Sequence, residues 1–306
     1  MIRPYVPIFP INKSTIKQPS RTMKPAHGLL TTLLALLLAA FSVSAFAQND
    51  DDCQTIEGVK GTSVSVDPNG NVYVIDGSTL YKLAQNGSEW VKSQYSNFQL
   101  GDIASVDVDN PLKIMLFYQD EGMILFLDEK MNPLMEPLNL MDAGLNNISL
   151  STYSTDNTIW LYDVVLHDLI NVNFQLKELS RNHLSIEKFE PTQLISLQEK
   201  QLAMDDYTSD VAFFDAFGTY LKTIRVPGNA AKKQLYNGQI YCLNFNDMVR
   251  GVDAGFHILS YNYLLNKINF VRKISCPVVD FAYSNGIVWG IDEEHHLKMI
   301  ILETEE

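Results

Sequence analysis

Carboxylates recur in this chain at the ends of short apolar runs, and that recurrence is its most chemically suggestive feature. Asp76 closes NVYVID, Asp120 closes IMLFYQD with Glu121 next to it, Asp163 closes TIWLYD, Asp206 closes QLAMDD and Asp292 closes IVWGID. Asn246 follows QIYCLNF as an amide counterpart. If one architecture gathers these positions around a mouth, like charges focus the field there and attract a cation or a basic protein surface. The same residue types also end strands for a local reason, because Asp and Asn side chains accept hydrogen bonds from backbone N–H groups in turns.

The run Asp292, Glu293, Glu294, His295, His296 is the densest set of metal-capable groups. Imidazole with carboxylate suits zinc, and an oxygen-only set suits calcium. Contiguous residues, however, do not have the spacing that converges ligands on one ion, so a solvated loop is the simpler reading. His167, His183 and His257 are scattered and read as surface or packed residues. The segment DPNGN at residues 67–71 resembles the start of a calcium loop but has Ser78 where the bidentate Glu belongs, so it reads as a turn. No nucleophile elbow, phosphate-cradling glycine loop or paired-cysteine zinc spacing is present.

The elements that must position these carboxylates follow from their spacing. Successive copies lie about 43 residues apart between Asp76 and Asp292, the period of a four-stranded propeller blade. Alternating runs at residues 63–67, 72–75, 80–83 and 90–95 give one such blade, and similar runs return along the chain. The expected fold class is all-β: a six-bladed β-propeller of four-stranded antiparallel blades, with an N-terminal strand at residues 54–59 closing the last blade. Trp160 and Trp289 share a repeat position with Tyr73 and Tyr241 and are expected in the core with Trp90. Met131, Met135 and Met141 read as part of an irregular outer strand. If Cys276 begins the innermost strand and Cys53 lies on the outermost, three strand spacings, about 14 Å, separate them, too far for a disulfide. They are therefore expected to be unbridged, with the status of Cys242 open.

Residues 1–47 carry basic residues, no acid, a short apolar stretch and an Ala-x-Ala site, the pattern of an export signal; Met23 is an alternative start. Residues 48–306 would then form a single propeller domain in an exported chain, periplasmic or at the cell surface. The whole chain has 23 Lys plus Arg against 36 Asp plus Glu, a net charge of −13. Such a field opposes nucleic-acid binding. No later apolar run is long enough for a transmembrane segment. The sequons at Asn12, Asn86 and Asn147 matter only in a glycosylating host.

With these repeats in view, the chain resembles the exported six-bladed propellers of the NHL and TolB-like superfamily. The likeness rests on DPNGNVYVID at residues 67–76 and on weaker echoes at residues 157–163 and 286–292. The resemblance implies lactonases, quinone-dependent dehydrogenases or non-enzymatic scaffolds, and fold analogy does not choose among them. The expected function is binding: an acidic face of Asp120, Glu121, Asp163, Asp206, Asp292, Glu293, His295 and His296 engaging a protein partner in the envelope or a divalent cation. The alternative is a metal-dependent, lactonase-like hydrolase with Glu57, Asp120, Asp206 and Asp292 at the channel mouth. A small-molecule carrier is a third, weaker expectation.

Overall fold

The structure, a computed structural model, describes residues 53–87, 89–186, 189–197, 201–206, 209–226, 230–244, 257–274 and 276–302. All lie in one compact unit, Asp50–Glu306. The segment expected to be an export signal, Asn246, Asp247, Asp253 and the side chain of Asp206 fall outside the described residues.

The described strands form six four-stranded antiparallel sheets. Sheet 1 contains β2 (Ser63–Val66), β3 (Val72–Asp76), β4 (Thr79–Asn86) and β5 (Glu89–Ser96). Sheet 2 contains β6 (Ser105–Asp107), β7 (Ile114–Tyr118), β8 (Met123–Leu127) and β9 (Leu138–Asn139). Sheet 3 contains β10 (Ile148–Tyr153), β11 (Ile159–Asp163), β12 (Asp168–Val172) and β13 (Glu178–His183). Sheet 4 contains β14 (Pro191–Leu197), β15 (Gln201–Asp206), β16 (Asp210–Phe214) and β17 (Tyr220–Arg225). Sheet 5 contains β18 (Ala230–Tyr236), β19 (Gln239–Asn244), β20 (His257–Asn262) and β21 (Lys267–Lys273). Sheet 6 contains β22 (Asp280–Ser284), β23 (Ile287–Ile291) and β24 (His296–Ile301), with β1 (Cys53–Lys60) outermost.

Six apolar clusters occupy the junctions between consecutive sheets, the last joining sheet 6 to sheet 1. This is the ring arrangement of a β-propeller, in which each sheet buries both faces against its neighbours. That is why the middle strands read as nearly continuous apolar runs: every residue of IMLFY in β7 and of IWLYD in β11 is buried. Tyr73, Trp160, Trp289 and Tyr241 all lie in these junctions. Trp90 packs edge-on against Trp289 at 5.1 Å.

The expectation of six equivalent blades is corrected. Among the described residues five blades are complete, with every strand four residues or longer. The sheet between Ser105 and Asn139 has a three-residue inner strand and a two-residue outer one. Its outer segment carries Pro133 and Pro137, which cannot donate to a strand ladder, and Met131 takes a positive φ of 69°.

The expectation that Cys53 and Cys276 are unbridged is also overturned. They form a disulfide with Cα atoms 6.3 Å apart. Cys276 does not begin the innermost strand: β22 starts at Asp280, and Cys276 lies in the crossover that leaves β21, the outer strand of sheet 5. Cys53, opposite Ile300 in the ladder, packs in the same junction as Ile274 and Val278 of that crossover. The strand-counting argument failed because a crossover passes from rim to axis and meets the rim first. Cys242 is a buried free thiol, pushed up to about 12 chiefly by burial.

Candidate functional site

The recurring carboxylates divide into two groups. In the first, the side chain caps its own turn. Asp163 accepts hydrogen bonds from Val165 and Leu166 N–H, each at 2.9 Å. Asp292 accepts from Glu294 N–H at 2.9 Å and His296 N–H at 2.8 Å, and Lys298 Nζ stands 3.1 Å from its other oxygen. Burial alone would raise the Asp292 carboxyl, but the His296 N–H and Lys298 outweigh it and hold the group below its ordinary value. Asp168 is bound by Arg181 at 3.0 Å and lies 3.2 Å from His183 Nδ1, and Asp210 is bound by Arg225 at 2.8 Å. Glu293 and His295 are exposed, His295 with Nδ1 3.3 Å from Gly61 O; His296 Nδ1 lies 3.5 Å from Asp292. DPNGN is likewise a turn: Asp67 is fully buried and accepts from Asn69 N–H, Asn71 N–H, Asn71 Nδ2 and Tyr73 Oη.

The second group is free and forms one continuous strip on the face that carries the loops after each second strand. Asp76, Asp102, Asp120, Glu121 and Asp142 are exposed, and none has a side-chain hydrogen bond or ion pair among the described residues. A Cβ added at Gly77 would lie 3.2 Å from Asp102 Oδ1, one at Gly101 3.4 Å from Glu121 Cγ, and one at Gly122 3.1 Å from Met141 Cγ. Asp76, Asp102, Glu121 and Met141 are therefore neighbours in that order. Met141 is exposed, and on the same face Val164, Val165 and Leu166 project into solvent, held by Val164 N–H donating to Asn147 O at 3.0 Å. Among the described residues the free carboxylates of this face therefore lie in the loops of sheets 1 and 2, with exposed apolar side chains on the same face.

Among the described residues the hydrolase constellation does not assemble. Glu57 lies on β1, the outermost strand of its sheet, while Asp120 and Asp292 lie in loops of sheets 2 and 6. Among the described residues no three His, Cys, Asp or Glu side chains converge as a metal set.

Sequence reasoning missed the axis of the ring. A cavity of about 490 Å³ is lined by the inner strands, with Asp107, Asp109, Ser151, Thr152, Lys232 and Asp280 among its polar groups. Inner strands are edge strands, so their backbone groups need partners. Side chains of the preceding sheet supply four of them: Asp280 accepts from Val64 N–H at 2.9 Å, Asp107 from Tyr153 N–H at 2.8 Å, Thr152 Oγ1 from Ser196 N–H at 3.2 Å and Gln234 from Tyr283 N–H at 2.6 Å. Lys233 and Asp205 form a buried ion pair at 2.5 Å, and Lys232 reaches Asp280 at 3.2 Å. Asp107 and Asp109 have no such cation among the described residues. Asp109 is exposed along the cavity; the protein around it, with Asp107 beside it adding to the effect, pushes its carboxyl up to about 8. Burial also raises Asp107, against the hydrogen bonds it accepts from Thr152 and Tyr153. The available signal was the small polar residues alternating along SVSV, SVD and ISLSTY.

The class this geometry defines is the β-propeller, and solved structures agree. The chain is similar to a streptogramin B lyase at 13% identity, with a TM-score of 0.51 and coverage of 83% of this chain and 88% of that one. It is similar to virginiamycin B lyase from Staphylococcus aureus at 9% identity, TM-score 0.51, over 83% and 88% of the two chains. It is also similar to the Pan2 WD40 domain of Neurospora crassa at 6% identity, TM-score 0.51, over 79% and 78%. No protein-family model and no curated protein matches the chain. At these identities the likeness establishes the fold alone, and both an enzyme and a WD40 domain share it. Among the described residues no helix is long and apolar enough to cross a membrane.

Proposed function

We propose that this propeller is a binding module, exported in keeping with its N-terminal pattern, that engages a basic protein partner through the strip from Asp76 to Asp142. The observation that carries the reading is the succession of free carboxylates from Asp76 through Asp102 to Glu121, which ends at the exposed side chain of Met141 on a face that also presents Val164, Val165 and Leu166 to solvent. Exposed aliphatic groups clustered beside charge mark contact surfaces, since apolar area supplies affinity while charge steers encounter and rejects wrong partners. The NHL and TolB-like resemblance is compatible with such a scaffold role.

The test is affinity capture on the immobilised protein, followed by titration of the identified partner across salt. Replacing Asp102, Asp120 and Glu121 by their amides should slow association and flatten the salt dependence. Val165→Asp should instead speed dissociation. Unchanged binding by both variants would refute the assigned surface.

A further inference from the structure

We infer that the β16–β17 and β20–β21 hairpins form a docking surface for the acidic strip of a second copy of this chain. The strip's half of the contact rests on the function proposed above, and the hairpins supply the other half. Tyr263 packs on Phe213 with ring centroids 4.8 Å apart, and Lys222 Nζ stands over the two rings at 5.6 and 5.9 Å, so the hairpins are neighbours. Beside this contact Phe217, Leu221, Leu264 and Leu265 project into solvent, the last two each 71% exposed. Single exposed apolar residues are ordinary, but several on adjoining hairpins mark a contact surface.

Charge selects the occupant. Residues 216–224 and 257–274 include Lys222, Lys267, Arg272 and Lys273 and no Asp or Glu, in a chain with 36 acids against 23 bases. Lys222, Lys267 and Lys273 are exposed. The hairpins therefore repel a basic partner and favour an acidic one that also presents apolar groups. The strip at Asp102, Asp120 and Glu121, with Met141 at its end, has that composition. Position makes the contact head-to-tail. In a ring of six sheets, sheets 4 and 5 stand across the axis from sheets 1 and 2. Neighbouring strands run antiparallel, so hairpins between third and fourth strands lie on the face opposite the loops that follow second strands. One molecule cannot join its own two surfaces, and two copies in contact leave one of each unused, so association continues past the dimer.

The experiment is sedimentation velocity of the full chain over a concentration series, at about 0.01 M and about 1 M salt, where screening acts over roughly 30 Å and roughly 3 Å. Mass should rise with concentration past two chains at low salt and fall back toward one chain at high salt. Lys222→Glu with Lys267→Glu should weaken association about tenfold or more, and so should Asp102→Asn, Asp120→Asn and Glu121→Gln combined. Both sets alter exposed side chains, so each variant should keep the parent's melting temperature. Mixed together, the two variants have one intact contact between them and should form a complex that stops at two chains. Lys130→Glu, in the turn after β8, should leave association unchanged. A single chain at every concentration and salt overturns the inference. So does a mixture that forms no complex, or a Lys130→Glu effect as large as that of the lysine pair. If a non-associating chain still needs Asp102, Asp120 and Glu121 to hold a captured partner, the proposed function stands and this inference alone falls.

Discussion

Asp109 shows how position along the ring sets the behaviour of one carboxyl. Its proton affinity in the fold exceeds that of an unfolded chain, so the native state binds the proton more strongly. The contribution of this group to stability is therefore greatest in acid. It declines as pH rises from the ordinary carboxylate range toward about 8, where the folded group itself ionises. Asp109→Asn removes that penalty, and the variant should gain melting temperature relative to the parent at pH 9 but not at pH 5. Equal shifts at both values would show that Asp109 is hydrated normally. The face-borne carboxylates carried a legible chemical type in the sequence, but not their duty. Asp163 and Asp120 end similar runs, yet one caps its turn and the other is free. That difference depends on which backbone N–H groups the following loop presents, and no strand periodicity encodes it.

One hairpin device recurs at the level of elements. Asp67, Asp128, Asn173, Asp215 and Asp292 each accept from the N–H groups two and four residues ahead. The residue three ahead has a positive φ in every case: Gly70, Met131, Leu176, Gly218 and His295. Where glycine stands there the turn is unstrained, and elsewhere the Asx acceptor helps hold a side-chain-bearing residue in the left-handed region. Asp67→Ala should cost about 1–3 kcal/mol in urea unfolding, because Asn71 and the buried Tyr73 hydroxyl lose their acceptor. No loss would mean that water substitutes. The middle strands were readable because both faces are buried, whereas polar outer strands such as β13 were missed: ELSRNH lacks apolar alternation. β18 was missed for a different reason. Its Lys232 and Lys233 look like surface residues, but Lys233 is buried against Asp205.

At the scale of the molecule, the repeat period announced a ring of sheets, but not the shortened sheet at Ser105–Asn139 or the covalent tie between Cys53 and Cys276. Both depend on how loops travel between sheets, which spacing alone leaves open. The disulfide spans a sequence separation of 223 residues. Closing a loop of that length removes chain entropy from the unfolded state worth about 5 kcal/mol. Reduction, or Cys53→Ser, should lower the melting temperature by roughly 10–20 °C for a domain of this size. A shift of only a degree or two would show that the hydrogen bonds of β1 to β24 suffice to keep the ring shut.

Because β1 mates with β24, the strand that leaves the ribosome first is the one that finds its place last. Until translation has delivered the far end, the nascent polypeptide carries a bare, bond-hungry border at each extremity of the arc. A prematurely terminated copy would be left gaping and adhesive, so completeness of synthesis is written into whether the circle can latch.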